Sequence, residues 1–269
     1  MKYKIGFIGT GVMAGAIIDR FLASFDNFDI DYKDIVVYDL DSSKMQKYAT
    51  KGISIGVSAN DILENSEIAM LGVKPQFYAD ILKNAPIINA KTIISIMAGV
   101  KIDTLRKYLG GNVGIARVMP NTPCTIGKGV MAVCYDNCSN NATELIGKIL
   151  NTCGKVINIE ESKFDAVTSI SGSGPAYVYL FADAMVQAGI KGGLTLEESK
   201  ALALATIEGS ALYASSAEYD LPTLVERVCS KGGTTIEAIN IYKESNLEAI
   251  VGKGIDACRE KSKILSEKL

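Results

Sequence analysis

The sequence predicts an α/β protein: an N-terminal doubly wound parallel sheet over residues 1–160, followed by an all-helical domain over residues 161–269. Three observations predict it. A short apolar run at residues 5–8 turns at Gly9-Thr10-Gly11 and passes directly into a helical pattern of Met13, Ile17, Ile18, Phe21 and Leu22. Strand-length apolar runs then alternate with helix-length amphipathic stretches as far as residue 160, the pattern of a parallel sheet with crossover helices. After Lys163 the strand signal stops, and Ala- and Leu-rich periodic stretches take over.

The opening strand, turn and helix has the chemistry of a nucleotide cradle. Gly9 permits the tight turn, Gly11 lets backbone approach a pyrophosphate, and Ala14 is the small third position where helix packs on strand. Thr10, Val12 and Met13 bring their N–H groups to the start of the helix, where free donors and the helix dipole favour phosphate. This is a Rossmann-type motif in its required context. An acid is expected at the end of the second strand, roughly 20 residues on, to bind the adenosine ribose. The run 35–39 supplies Asp39, about 25 residues past Ala14, with the polar loop 26–34 taking up the excess. Asp39 would repel a 2′-phosphate, which favours NADH over NADPH; capping the next helix is its alternative role, one that Asp41 or Ser42 fills equally well.

Composition narrows the function classes. With 269 residues, 48% apolar, the chain has enough material for two cores. The net charge of −2 and scattered lysines offer no basic patch for nucleic acid. No run approaches the ~18 apolar residues of a membrane span, and the first residues lead straight into a strand, so a cytoplasmic protein is expected. The six cysteines show no metal-binding spacing and read as reduced, mostly buried small residues; no metal is expected. Histidine is absent, so any chemistry proceeds without imidazole, and substrates whose reduction needs no strong protein acid move forward.

Along the chain, helices are predicted near 42–50, 59–64 and 143–152, and strands at 53–55, 68–73, 92–96, 113–118, 130–134 and 156–159. Val73-Lys74-Pro75 follows a strand at the carboxyl edge of the sheet, where ligands bind in this architecture. Lys74 there can reach a phosphate or a substrate carboxylate, or simply face solvent. Met97-Ala98-Gly99 ends the next strand, and its small residues let a nicotinamide or ribose lie against backbone. Two prolines stiffen the loop 119–123. The later helices are expected at 176–189, 196–213, 222–228 and 247–265, the second opened by a Thr195–Glu198 capping box. Helices this rich in Ala, Gly and Ser need a partner to complete their core, so an obligate homodimer is expected. Two stretches, 171–177 and 229–235, are too glycine-rich for ordinary helix. The second opens a helix and offers Ser230, Gly233, Thr234 and Thr235 to a small carboxylate, or else is a helix-helix turn with Thr as N-cap.

At these residues the chain resembles the pyrroline-5-carboxylate reductases. The likeness runs through IGFIGTGVMA near the start, VKPQ at 73–76, MAGV at 97–100, RVMPNTP at 117–123, ISGSGPAYVY at 170–179 and LPTLVERVCSKGGTTIEAI at 221–239. The resemblance implies an N-terminal dinucleotide domain and a C-terminal helical dimerisation domain, with active sites built across dimers that in some members assemble as pentamers of dimers. It implies hydride transfer from NADPH or NADH to the cyclic C=N of 1-pyrroline-5-carboxylate, giving L-proline. By position, Thr235 would hydrogen-bond the ring nitrogen, and Ser230 with the backbone of Gly233 and Thr234 would cradle the carboxylate. A protonated imine is already electrophilic, so alignment matters more than an acid, in agreement with the missing histidine.

Three departures from the family pattern stand out. Val12 replaces a polar residue, often Asn; Lys231 stands where the family has proline; and Tyr38-Asp39-Leu40-Asp41 lacks the polar or basic residues of a strict NADPH enzyme. The alternatives they leave are another cyclic-imine or hydroxyacid oxidoreductase on the same plan, and a dinucleotide-binding regulator without turnover.

Overall fold

The computed structural model describes residues 1–269, which form two compact units: Met1–Ser173 together with Cys258–Leu269, and Gly174–Ala257. The last strand ends at Asn158, close to the boundary expected from sequence at residue 160, but the helical turns that follow stay with the first unit as far as Ser173.

The first unit is built on eight strands: β1 (Tyr3–Ile8), β2 (Ile35–Tyr38), β3 (Ser54–Ile55), β4 (Ser66–Leu71), β5 (Thr92–Ser95), β6 (Gly114–Met119), β7 (Gly129–Asp136) and β8 (Gly154–Asn158). They lie in the order β3-β2-β1-β4-β5-β6-β7-β8. Around them run α1 (Val12–Ala23), α2 (Gln46–Ala49), α3 (Ala59–Asn65), α4 (Tyr78–Lys83), α5 (Ile102–Leu109), α6 (Asn140–Asn151) and α7 (Phe164–Val167). Successive strand side chains alternate between two apolar clusters. Phe7 and Val37 join Ile17, Phe21 and Met70 in one, while Ile8 and Val36 join Leu71 and Ile93 in the other. Both faces are therefore covered, as a parallel sheet requires.

The sheet departs from all-parallel at one place. β6 and β7 pair antiparallel, with Arg117 opposite Cys134, and β8 then returns parallel to β7. The connection over residues 120–128 contains only a 3-10 turn, Thr122–Ile126, too short for the crossover that parallel neighbours need. A second difference is the segment after α1. The loop expected to be merely polar packs Phe28 edge-on against Phe21, with ring centroids 4.7 Å apart, and stacks Phe25 on Tyr32. The helix expected at 42–50 is a 3-10 turn, Ser42–Met45, followed by the single turn α2.

The second unit contains α8 (Gly174–Lys191), α9 (Leu196–Ser216), α10 (Leu221–Val228), α11 (Thr234–Glu244) and the first half of α12 (Leu247–Glu267), whose residues from Cys258 onward belong to the first unit. The Thr195–Glu198 capping box is formed, each partner bonding the other's backbone. A Cβ at Gly189 would lie 2.6 Å from Ser199 Oγ, so glycine is what lets α8 and α9 approach there. The stretch 171–177 is helical after all. One π-helical turn, Thr168–Gly172, closes with Ser173 N–H donating to Thr168 O at 2.9 Å, and α8 follows with Pro175 in its first turn, where no intrahelical N–H is needed. Of the six free cysteines only Cys124 and Cys153 are buried; the other four are half-buried, which corrects the expectation that most would be buried. No helix is long and apolar enough to cross a membrane.

Candidate active site

β1 has β2 on one side and β4 on the other, so the strand order reverses there, and a crevice opens beyond the carboxyl ends of these strands. It has a volume of about 460 Å³ and is lined by Gly9, Gly11, Asp39, Val73, Lys74 and Phe77 among others. Two close approaches set its floor. A Cβ on Gly72 would lie 2.5 Å from the Ala14 methyl, which explains the small residue at both positions. Gly9 holds φ at +90° with Gly72 backbone 2.9 Å from where its Cβ would be. Gly11 is the opposite case: nothing lies within 4 Å of its missing Cβ, so the space above it is open to a ligand. Gly11 is also the N-cap of α1, and no side chain caps that helix. The first-turn N–H groups are thus left to whatever sits on Gly11. These residues fit a pyrophosphate.

Asp39 stands at the end of β2. Its Oδ2 accepts from Thr10 N–H at 2.7 Å and from Thr10 Oγ1 at 3.0 Å, and its Oδ1 accepts from Asp41 N–H at 2.9 Å. Burial by itself would raise its pKa, but these hydrogen bonds, helped by Lys44, outweigh burial and hold the carboxyl below its usual range. The helix-capping role falls to Asp41, which accepts from Ser43 N–H. Sequence reasoning missed Lys44, whose Nζ lies 3.8 Å from Asp39 and 3.7 Å from Asp41. It follows Asp39 by five residues in a turn whose geometry no periodicity announces.

Not every expected cofactor residue faces this crevice. Thr10 and Val12 line an adjoining surface hollow with Lys44 and Lys47, and Val12 is exposed. Met13 turns its sulfur inward, 3.4 Å from Cys124 Sγ, leaving only its backbone for a ligand. Lys74 is exposed and caps the 3-10 turn Pro75–Phe77, with Pro75 in its first position. Ala98 and Gly99 line a separate cavity of about 260 Å³ with Thr168, Ser173 and Cys258. There Gly99, at φ +79°, has Leu269 Cδ1 3.1 Å from its missing Cβ.

Two loops of the first unit, 119–123 and 170–172, meet through Asn121, a residue quoted above only as part of a motif. Its amide donates to Ser171 O at 3.1 Å, and its Oδ1 accepts from Val130 N–H at 2.8 Å. Gly172 sits where a Cβ would strike Met119 Cε at 2.5 Å. In the second unit, Ser230 O accepts from Gly233 N–H at 3.0 Å to close the loop before α11. Gly232 holds φ at +72°, and Gly233 is the helix N-cap without any side-chain cap bond. Ser230 and Thr234 are exposed and Thr235 half-buried, so hydroxyls and uncapped N–H groups share one helix end.

A crevice of this build, at the switch point of a doubly wound sheet, belongs to the Rossmann-type dinucleotide-binding proteins. Comparison with known proteins narrows the class. Residues 161–265 match the family described as pyrroline-5-carboxylate reductase dimerisation, and residues 4–99 match that described as NADP oxidoreductase coenzyme F420-dependent. The chain is 34% identical to the pyrroline-5-carboxylate reductase of Aquifex aeolicus, covering 98% of each chain, and 32% identical to that of Escherichia coli, covering 99% of this chain and 100% of the other. Among solved structures, the Plasmodium falciparum pyrroline carboxylate reductase with NADP bound superimposes with a TM-score of 0.86 at 30% identity, covering 99% of both chains. The Coxiella burnetii pyrroline-5-carboxylate reductase gives 0.89 at 28% identity, covering 98% of this chain and 99% of that one. The chain belongs to the pyrroline-5-carboxylate reductase family and is an oxidoreductase.

Proposed function

We propose that this protein reduces 1-pyrroline-5-carboxylate to L-proline with NAD(P)H, the last step of proline biosynthesis, and that it prefers NADH. The observation that carries the reading is its full-length likeness to enzymes named for that reaction, in a chain that keeps both the open Gly11 cradle and the uncapped Gly233–Thr235 helix end. Residues 1–160 are assigned to dinucleotide binding and 161–269 to substrate binding and dimerisation.

Gly9 and Gly11 with the N–H groups of Thr10, Val12 and Met13 hold the pyrophosphate and Asp39 the ribose; Val73 and Lys74 form the crevice wall beside it, and Pro75 fixes the turn that follows them. Ala98 and Gly99 receive the nicotinamide end. When bound, the reduced nicotinamide supplies the hydride. Ser230 and the N–H groups of Gly233 and Thr234 hold the substrate carboxylate, with Lys231 or Lys74 adding positive charge. The Thr235 hydroxyl orients the ring nitrogen. No histidine is present, and none is needed where the imine is already protonated and orientation dominates.

The NADH preference rests on local charge. Asp39 and Asp41 face one ammonium, Lys44, leaving a net negative environment where a 2′-phosphate would lie. A second copy of the chain covers the helical unit, whose Tyr179, Leu180, Leu212, Tyr213 and Ile250 are each at least 58% exposed in the single chain; the assembly is a homodimer at least, or a decamer of five dimers. The testing experiment is the initial rate of NADH and NADPH oxidation with and without 1-pyrroline-5-carboxylate, run beside a light-scattering mass. Imine-dependent oxidation, faster with NADH, supports the reading. Cofactor binding without imine-dependent turnover refutes the assigned reaction.

A further inference from the structure

The turn carrying Ala98 and Gly99 links β5 to α5, and it is fixed at both ends by different means. At its start, Ile96 N–H donates to Leu71 O at 3.4 Å, within the sheet. At its far end α5 begins after Lys101, which makes no side-chain cap bond. The carboxylate of Glu161, distant in sequence, takes that place: its Oε1 accepts from Ile102 N–H at 2.7 Å and from Arg117 Nη1 at 2.7 Å. Arg117 is buried on β6 and its guanidinium lies 4.5 Å from the centre of the Phe164 ring. One carboxylate oxygen therefore couples the α5 start to the sheet, and Arg117 in turn is held against the helical turn that follows Glu161.

We propose that Glu161 is a positioning residue which, held by Arg117, fixes the turn 97–101 so that Ala98 receives the nicotinamide end of the dinucleotide. This rests on the assignment of Ala98 to the cofactor made above. The adenosine and pyrophosphate contacts, on Gly11 and Asp39, belong to other loops and do not depend on Glu161. The two ends of the dinucleotide are thereby held by separate devices, and a change at Glu161 acts on one of them.

The test compares NADH with ADP-ribose, which has the adenosine and pyrophosphate but no nicotinamide. Dissociation constants are measured by calorimetry on full-length parent, Glu161→Ala, Glu161→Asp and Glu161→Gln. Glu161→Ala weakens NADH at least about fivefold, leaves ADP-ribose within about twofold, and lowers kcat about tenfold or more through lost alignment. Glu161→Asp keeps the charge but falls short of Ile102 N–H, and shows the same selective loss to a smaller extent, so the test stands if the alanine variant does not fold. Glu161→Gln retains an acceptor oxygen and recovers NADH affinity to within about threefold of the parent. Equal weakening of both ligands, or NADH affinity unchanged in Glu161→Ala and Glu161→Asp, overturns the proposal. A parent that binds both ligands but does not reduce the imine refutes the assigned reaction instead, and the binding comparison still decides the role of Glu161.

Discussion

Asp39 grips Thr10 by two hydrogen bonds, from the Thr10 N–H at 2.7 Å and its hydroxyl at 3.0 Å, both to the same carboxylate oxygen. The end of β2 is thus tied to the glycine turn after β1, and the acid proposed above to bind the ribose also holds that turn in shape. Its other oxygen takes Asp41 N–H and lies near Lys44. Both oxygens are therefore engaged within the protein itself, which fixes this end of the crevice, the one proposed to take adenosine.

The same geometry makes Asp39 a test of cofactor choice. Asp39→Asn retains an acceptor for Thr10 N–H and removes the charge facing a 2′-phosphate. The ratio of kcat/KM for NADPH over NADH is expected to rise about fivefold to tenfold, the size of one partly screened charge at this range. Lys44→Ala moves the ratio the other way. Steady-state rates with both cofactors decide it, and an unchanged ratio in both variants removes Asp39 and Lys44 from cofactor choice.

Asp39 also predicts acid sensitivity. Its native pKa is depressed, because hydrogen bonds and Lys44 outweigh the effect of burial. A carboxylate held below its unfolded value adds stability that is complete above about pH 5 and is lost as pH falls through the native pKa. Thermal melts from pH 7 down to 3 should show parent and Asp39→Asn converging in the acid range, with the parent more stable at neutral pH. Parallel curves across the range contradict this.

Much of this was legible in the sequence. Gly9 and Ala14 each answer to a steric demand that spacing reveals, Gly11 leaves the space above the helix start open as the motif requires, and Asp39 follows a strand whose apolar run is unmistakable. The direction of β7 was not legible, because an apolar strand reads the same either way and only the shortness of the 120–128 connection fixes it. α5 carries its buried residues Ile102, Leu105 and Leu109 at helical spacing, but its start was not legible, because Lys101 offers no side-chain cap and the carboxylate that takes that place, Glu161, lies far along the chain. Lys44 and Asn121 act through turns and long-range contacts that no local pattern encodes. The half-burial of Cys134 within β7 and of Cys138 just beyond it was not legible, because the residue type says nothing about how fully a position is covered.

Gly72→Ala tests the packing beneath the crevice. The new methyl would come 2.5 Å from that of Ala14, and 3.1 Å from Gly9 O, so α1 must shift from the sheet. Overpacking of this kind costs about 1–3 kcal/mol, read from urea denaturation. Ala14→Gly in the same chain removes the closer clash and should recover part of that loss, beyond its own helix penalty of roughly 1 kcal/mol. A double mutant no better than the sum of the single changes shows that the Ala14 contact is not the limiting one.

Thr235→Ala separates orientation from binding. Thr235 lies in the first turn of α11, whose N-cap Gly233 leaves the first N–H groups without a side-chain cap. If the hydroxyl aligns the imine nitrogen, its removal lowers kcat about 10-fold to 100-fold and leaves NADH affinity unchanged, since the dinucleotide contacts proposed above are on Gly11 and Asp39. Thr235→Ser restores most of the rate because the oxygen returns. The pH dependence of kcat should keep its shape in both variants, as the hydroxyl orients the ring without acting as an acid. Rate and affinity measured on the three proteins decide this: a full rate in Thr235→Ala means that substrate orientation is supplied elsewhere, and a loss that serine does not repair means that the methyl group, through packing, was the part that mattered.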